Sequence, residues 1–355
     1  MADIDSVNQQ FIRYDQVRKS HTYRLAEHPS DEFDEEYEIA TLDFSPFLTG
    51  DAEEKTRFAE AFAGALEEIG FAVLVGHGVD PDLYEKIEDL TLDLFTSTPL
   101  AEKMRFRASR HGSVNQGYFP IEETSDIHPD LVEGWVWCRR AFDISQHRDE
   151  PFRTEDYWPR VDLERQARRL VLAHEQLFKP IAQAMLQGLG CDPHLLDEKL
   201  TETNFGLRLN YYPPMTAEQD NSGAARLLGH EDVDLFTILP ASRTDGLQVW
   251  NHRSAKWVRM KAPPGSIIIN TGDYMQRISN DRLPSTTHRV GKPSDGSHLE
   301  RARVSFPVAV YVWENEILDV LPGLGVPKYE PVKAIAFHTH TTSKFYGDDY
   351  AVETA

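Results

Sequence analysis

A mixed α/β fold with a mainly β core is what this sequence predicts, and three observations predict it. Helical periodicity fills the chain up to about residue 200, short β-patterned segments with turn signals follow from about residue 203, and 355 residues can sustain one large core. The organisation expected is an acidic arm (1–40), a helical or α+β region packing on the barrel (41–200), the β core (201–320) and a helical tail (321–355).

Each element has its own reason. In 51–69, Phe58, Phe62, Ala65, Leu66 and Ile69 recur at helical spacing and Gly70 offers a C-cap. The run 71–75 is apolar, β-rich and bounded by Gly70 and Gly76, as a buried strand is. Asp80 and Pro81 form an N-cap and first-turn pair for a second helix. A long helix is expected over 162–189, carrying Leu163, Leu170, Leu177 and Ile181, with Pro180 kinking or splitting it. The β segments are 205–211, 234–239, 246–250, 256–260, 266–270, 286–290 and 303–313, a spacing that suggests a sandwich or barrel of antiparallel strands. Thr244-Asp245-Gly246 and Pro263-Pro264-Gly265 supply turn chemistry. The tail, partly helical over 329–345, is expected to pack on the outside.

A formal net charge of −21 argues against nucleic acid or an anionic membrane as partner, since both select basic surfaces. A small-molecule substrate is expected instead, bound by a monomer or homodimer. Cys138 and Cys191 are too few for a disulfide framework and are expected as reduced thiols. The polar, acidic start has neither the basic nor the apolar region of a secretory signal, and apolar runs such as 267–269 and 308–312 fall far short of the roughly 20 residues that span a bilayer, so a cytoplasmic location is expected. The acidic run 31–38 reads as a solvated arm or lid.

The chemistry concentrates in four places. His230 and Asp232 are separated by one residue and lead toward a β segment, where side chains two apart share a face and can converge on one ion. Asp234 shares that parity and competes with Asp232, although position against the histidine favours Asp232. His288 lies in another β-patterned run. Two imidazoles and one carboxylate occupy one face of an octahedral iron(II) and leave three positions open. Arg303 and Ser305 open the next β run on one face, where a guanidinium and a hydroxyl suit a carboxylate.

Taken in this order, the motifs resemble those of the iron(II)- and 2-oxoglutarate-dependent oxygenases of the group that contains isopenicillin N synthase, plant flavonoid and gibberellin oxidases and thymine hydroxylase. The resemblance covers nearly the whole chain. It runs through Gly70-Phe71 to His77-Gly78, Gln116-Gly117-Tyr118, Arg208-Leu209-Asn210-Tyr211-Tyr212-Pro213-Pro214, Gly246-Leu247-Gln248-Val249, Ile269-Asn270-Thr271-Gly272-Asp273 and Ser279-Asn280-Asp281 to His288-Arg289-Val290. It implies a double-stranded β-helix, or jelly roll, with helices outside. It implies iron(II) on His230, Asp232 and His288, the distal carboxylate of 2-oxoglutarate on Arg303 and Ser305, and a further hydroxyl from Tyr212. Arg208, Asn210 and Tyr212 alternate on one strand and are expected to face the cavity together.

The implied reaction uses dioxygen to convert 2-oxoglutarate to succinate and carbon dioxide while a substrate is hydroxylated, desaturated or cyclised, with ascorbate as a helpful additive in vitro. Two alternatives stand beside it: an oxidase like isopenicillin N synthase that spends the Arg-x-Ser pair on substrate, and a jelly-roll protein that binds a metal or ligand without turnover. For the substrate, Arg208, Tyr118 and Phe119 after a loop glycine, and Trp135, Trp137 and Arg139 alternating on one extended run are the candidate contacts; ordinary core packing is the competing reading for the tryptophans, and Arg139 hints at an anionic substrate. The polar stretch 294–298 reads as a loop insertion, and His77 belongs to a structural glycine-rich turn.

Overall fold

The computed structural model describes residues 27, 30–111, 114–120, 131–144, 152–215, 226–293 and 300–346. The chain enters the fold through β1 (Thr41–Asp43), α1 (Ala52–Ile69), β2 (Phe71–Val75) and α2 (Pro81–Ser97). Asp51 caps α1 with a capping box: its carboxylate accepts from the Glu53 and Glu54 amides while the Glu54 side chain returns to the Asp51 amide. Gly70 ends the helix in the left-handed region at φ 73°. Asp80 accepts from the Asp82 amide at the start of α2.

Next come β3 (Ser109–His111), β4 (Val114–Phe119), β5 (Glu133–Cys138) and α3 (Val161–Gly188). Of the two outcomes expected at Pro180, a split does not occur. α3 is continuous for 28 residues, because its buried stripe of Leu163, Leu170, Leu177 and Ile181 extends to both sides of the proline and offsets the missing hydrogen bond.

The β core follows as β6 (Asn204–Tyr212), β7 (Leu227–His230), β8 (Phe236–Pro240), β9 (Leu247–Asn251), β10 (Lys256–Arg259) and β11 (Ile267–Thr271). It closes with α4 (Asp273–Ile278), β12 (His288–Val290), β13 (Arg303–Ser305), β14 (Val308–Tyr311) and α5 (Ala334–Tyr346). A ten-stranded sheet has the order β1-β2-β11-β8-β14-β6-β5-β4-β3, with β13 also on β6, and a four-stranded sheet has the order β10-β9-β12-β7. Phe71 and Val73 of β2 and Ile268 of β11 pack against Leu247, Val249 and Val258 of the smaller sheet, so the two sheets face each other. Leu74, Ile267 and Ile269 point the other way, into the core built with α1 and α3. Covering both faces explains why these strands read as unbroken apolar runs.

The predicted strand 303–313 is two strands. Phe306 and Pro307 interrupt it, the proline having no amide to give the ladder, and both halves still pair with β6. The acidic run is docked, not solvated. The Trp257 amide donates to the Glu32 carbonyl and the Asp34 amide to the Trp257 carbonyl, each at 2.9 Å, so the run lines the β10 edge. Asp31 pairs at 2.8 Å with Arg289, which is wholly buried and lies 3.7 Å over the Trp257 ring. A buried guanidinium demands an anion, and the acidic run supplies it. Asp31→Ala is therefore expected to lower the unfolding free energy by about 3–5 kcal/mol in urea titration, where a solvated arm would give almost no change. The 294–298 insertion and the first 26 residues of the arm lie outside the described residues.

Two wholly or nearly buried histidines set a pH dependence. Burial pushes His174, whose Nε2 lies 3.1 Å from the Tyr84 hydroxyl, down to about 3, with His77 adding to the effect. Burial likewise pushes His338 of α5 down to about 4. Both rings fold neutral but take up a proton in the unfolded chain below about pH 6.5. Stability is therefore complete above that pH and falls as pH drops toward 4, by up to about 1.4 kcal/mol per pH unit for each ring. Urea midpoints that stay level from pH 6.5 to 4.5 would contradict this.

Candidate active site

A cavity of about 270 Å³ lies between the two sheets. His230 and His288 are cross-strand partners on β7 and β12, with ring centroids 4.3 Å apart. His230 Nδ1 lies 2.9 Å from the Leu228 carbonyl and His288 Nδ1 3.1 Å from the Thr286 carbonyl. A carbonyl only accepts, so Nδ1 carries the hydrogen in each ring and Nε2 is left with its lone pair. Asp232 is not on a strand with His230, as the pattern suggested. His230 ends β7, and Asp232 sits in the crossover from the smaller sheet to β8.

The crossover nevertheless brings Asp232 Oδ1 to 3.8 Å from His230 Nε2 and 3.9 Å from His288 Nε2. Two ligands at bonds of about 2 Å can stand up to about 4 Å apart on one ion, so the three atoms fit a single metal. Asp232 Oδ2 is occupied, accepting from Asn270 Nδ2 at 2.7 Å and Thr237 Oγ1 at 2.8 Å, which aims Oδ1 at the histidines. Burial alone would raise the Asp232 carboxyl, but His288, His230, Asn270 and Thr237 outweigh it and hold it below the usual carboxylate range. Burial, then His288, push the His230 ring down to about 4, against the pull of Asp232. Both groups are thus in the form a metal requires.

Asp234, the competing carboxylate, points away from the histidines. Burial first, then Asp232, raise it well above its ordinary value, and it shares Thr237 Oγ1 at 2.7 Å. The Thr237 hydroxyl therefore stands within hydrogen-bonding distance of both carboxylates, and its single proton is shared between them.

Arg303 and Ser305 face the cavity in register with Tyr212 and Asn210 of β6. Arg303 is 3% exposed, its Nε donates to the Thr244 carbonyl at 3.3 Å, its guanidinium lies 5.0 Å from the Tyr212 ring centre, and Nη1 is buried with no hydrogen-bond partner. An orphaned donor on a buried cation fits a carboxylate. Behind it Arg226, nearly fully buried, is pushed down to about 10 by burial and by Arg303. Asn210 Nδ2 lies 3.3 Å from Ser305 Oγ, and Asn210 Oδ1 accepts from Arg208 Nε at 2.7 Å. All three alternating β6 side chains therefore line the cavity, as their parity predicted.

The substrate candidates divide. Phe119 lines the cavity. Tyr118 does not: it is in β4 and not in a loop, and its hydroxyl donates to Glu133, which also pairs with Lys103. Trp135 and Trp137 are fully buried on the helix side, stacked on each other, with Trp137 also stacked on Trp158, while Val136 between them faces the cavity. Both faces of β5 are covered, so the parity was sound but pointed the other way. Arg139 leaves the strand in a helical turn and pairs with Glu175, away from the cavity. His77 Nε2 meets the Gly265 carbonyl at 2.8 Å and is likewise elsewhere.

Pattern reading missed four groups. Asn270 lay within a quoted motif without a role, and Thr237 had no signal. His338 and Thr342 of α5 line the cavity, with His338 Nδ1 3.1 Å from the Tyr274 hydroxyl, so the tail contributes to the site and does not merely cover the outside.

Residues 203–310 match the model of the 2OG-Fe(II) oxygenase superfamily, and residues 39–161 match the N-terminal model of the non-haem dioxygenase in morphine synthesis. A 2-oxoglutarate-Fe(II) type oxidoreductase of Metarhizium rileyi is 25% identical over 342 residues, covering 88% of this chain and 93% of the relative. A 2-oxoglutarate-dependent dioxygenase of an Acremonium species is 28% identical over 274 residues, covering 72% and 81%. Among solved structures, a Neurospora crassa protein in complex with alpha-KG and 5-formyluracil superposes with a TM-score of 0.75 at 23% identity, covering 88% of this chain and 98% of that one. A rice dioxygenase for auxin oxidation superposes with a TM-score of 0.65 at 22% identity, covering 88% and 99%, and these two likenesses speak for the fold. With two family models in sequence along the chain, relatives matched over most of their length and a His-Asp-His cluster in the cavity, the chain belongs to the 2-oxoglutarate- and iron(II)-dependent oxygenase superfamily and is a dioxygenase of that class.

Proposed function

We propose that this dioxygenase couples the decarboxylation of 2-oxoglutarate to the hydroxylation, desaturation or ring closure of a small-molecule substrate. His230, Asp232 and His288 hold the iron, Arg303 and Ser305 hold the distal carboxylate, and Tyr212 and Asn210 complete the co-substrate site. The facing sheets correspond in this reading to a double-stranded β-helix. One observation carries it: three ligand atoms left free by their own hydrogen bonds converge beside a buried guanidinium with an unpartnered donor.

Bound iron(II) would let dioxygen, the four-electron oxidant, take two electrons from 2-oxoglutarate as it becomes succinate and carbon dioxide and two from the substrate. The chain supplies position. The Leu228 and Thr286 carbonyls fix both imidazole tautomers, and Thr237 and Asn270 fix Asp232. Purified protein given iron(II), ascorbate and 2-oxoglutarate should form succinate in step with product from one member of a broad small-molecule panel. No succinate above background from any member counts against the proposal. Product formation without 2-oxoglutarate points to the oxidase.

A further inference from the structure

Among the described residues two guanidinium groups face the cavity, and in the proposed reading the co-substrate accounts for one. Arg208 projects from the middle of β6, between Tyr212 toward the Arg303 end and Gly206 toward the far end. Its Nε is spent on Asn210 Oδ1, which fixes the plane of the group. That plane passes close to Gly134 on the neighbouring strand, where a Cβ would stand 3.4 Å from Nη2 and 3.5 Å from Nε, and its centre is 5.8 Å from the Phe119 ring. Among the described residues no carboxylate pairs with Arg208, which lines the cavity. Of the acidic lining residues, Asp232 belongs to the metal cluster and Glu231 accepts from the Thr287 hydroxyl. Beyond Arg208 the wall is formed by Phe119, Val136, Gly206, Pro307, Ala309 and Tyr311.

We propose that Arg208 anchors a carboxylate carried by the substrate, whose small apolar body lies along this wall, so that the substrate class is an apolar monocarboxylate. The inference rests on the cavity being the oxygenase active site. A guanidinium in an apolar cavity is costly without a counter-ion, and its remaining pair of N–H donors matches a carboxylate's two oxygens. The cavity of about 270 Å³ must also hold the co-substrate, which keeps the apolar body small. The Arg208–Asn210–Ser305 chain separates the two carboxylate sites and orients both.

The test uses the full chain loaded with iron(II) and 2-oxoglutarate without oxygen. Binding of 2-oxoglutarate is measured first, and its failure overturns the oxygenase reading itself. Phenylacetate, cyclohexanecarboxylate and hexanoate are then titrated calorimetrically beside their primary amides. At least one acid is expected to bind about 10- to 100-fold more tightly than its amide, the worth of a charged hydrogen-bond pair. Arg208→Gln should abolish that preference and Arg208→Lys should keep part of it, with thermal unfolding as the folding control. Normal 2-oxoglutarate binding combined with no acid binding, with equal binding of acid and amide, or with a preference that survives in Arg208→Gln would overturn this inference alone.

Discussion

Replacing Asp232 with Ala is expected to cost at least about 100-fold in iron(II) affinity, measured by competition with a chelator, while the protein stays folded. The bound is set by comparison with the groups behind it. Losing a hydrogen-bonding partner of a metal ligand typically costs 10- to 100-fold, so Thr237→Val and Asn270→Ala should fall in that range. Loss of the ligand itself must exceed it. A variant whose iron affinity changed less than that of Thr237→Val would mean that Asp232 does not bind the ion. Since Asp234 is outside the cluster of three ligand atoms, Asp234→Asn should be far milder.

Arg303→Ala is expected to weaken 2-oxoglutarate binding by about 2–5 kcal/mol, or roughly 30-fold to several thousand-fold, the range for truncating one member of a buried charge pair. Arg303→Lys should recover only part, because an ammonium cannot reproduce the planar fork and must reach the same point past Tyr212. Iron binding should be nearly unchanged in both variants. The apparent affinity for 2-oxoglutarate, followed through succinate formation, separates the outcomes. Unchanged affinity would move the carboxylate clamp away from Arg303.

Much of this was legible along the chain. Helix caps at Gly70 and Asp80, the strand 71–75, and the change of texture after residue 203 follow from local rules that the fold obeys. Alternation on β6 correctly placed Arg208, Asn210 and Tyr212 on one side because that strand has its cavity face and its helix face cleanly divided. The same rule put Trp135 and Trp137 on one side but not which side, and they pack in the core because apolar groups cover both faces. It also misdescribed His230 and Asp232, which converge through a crossover between sheets and not along one strand.

By itself the sequence determined which side chains could make a metal site and a carboxylate clamp, and in what order, because those are properties of residue type and of period along a strand. Only the tertiary structure decided which carboxylate meets the histidines, that the acidic run docks on Arg289, and that α5 brings His338 to the cavity. The physical reason is that periodicity reports which residues share a face, whereas the partner of that face is chosen by packing between elements far apart in the chain.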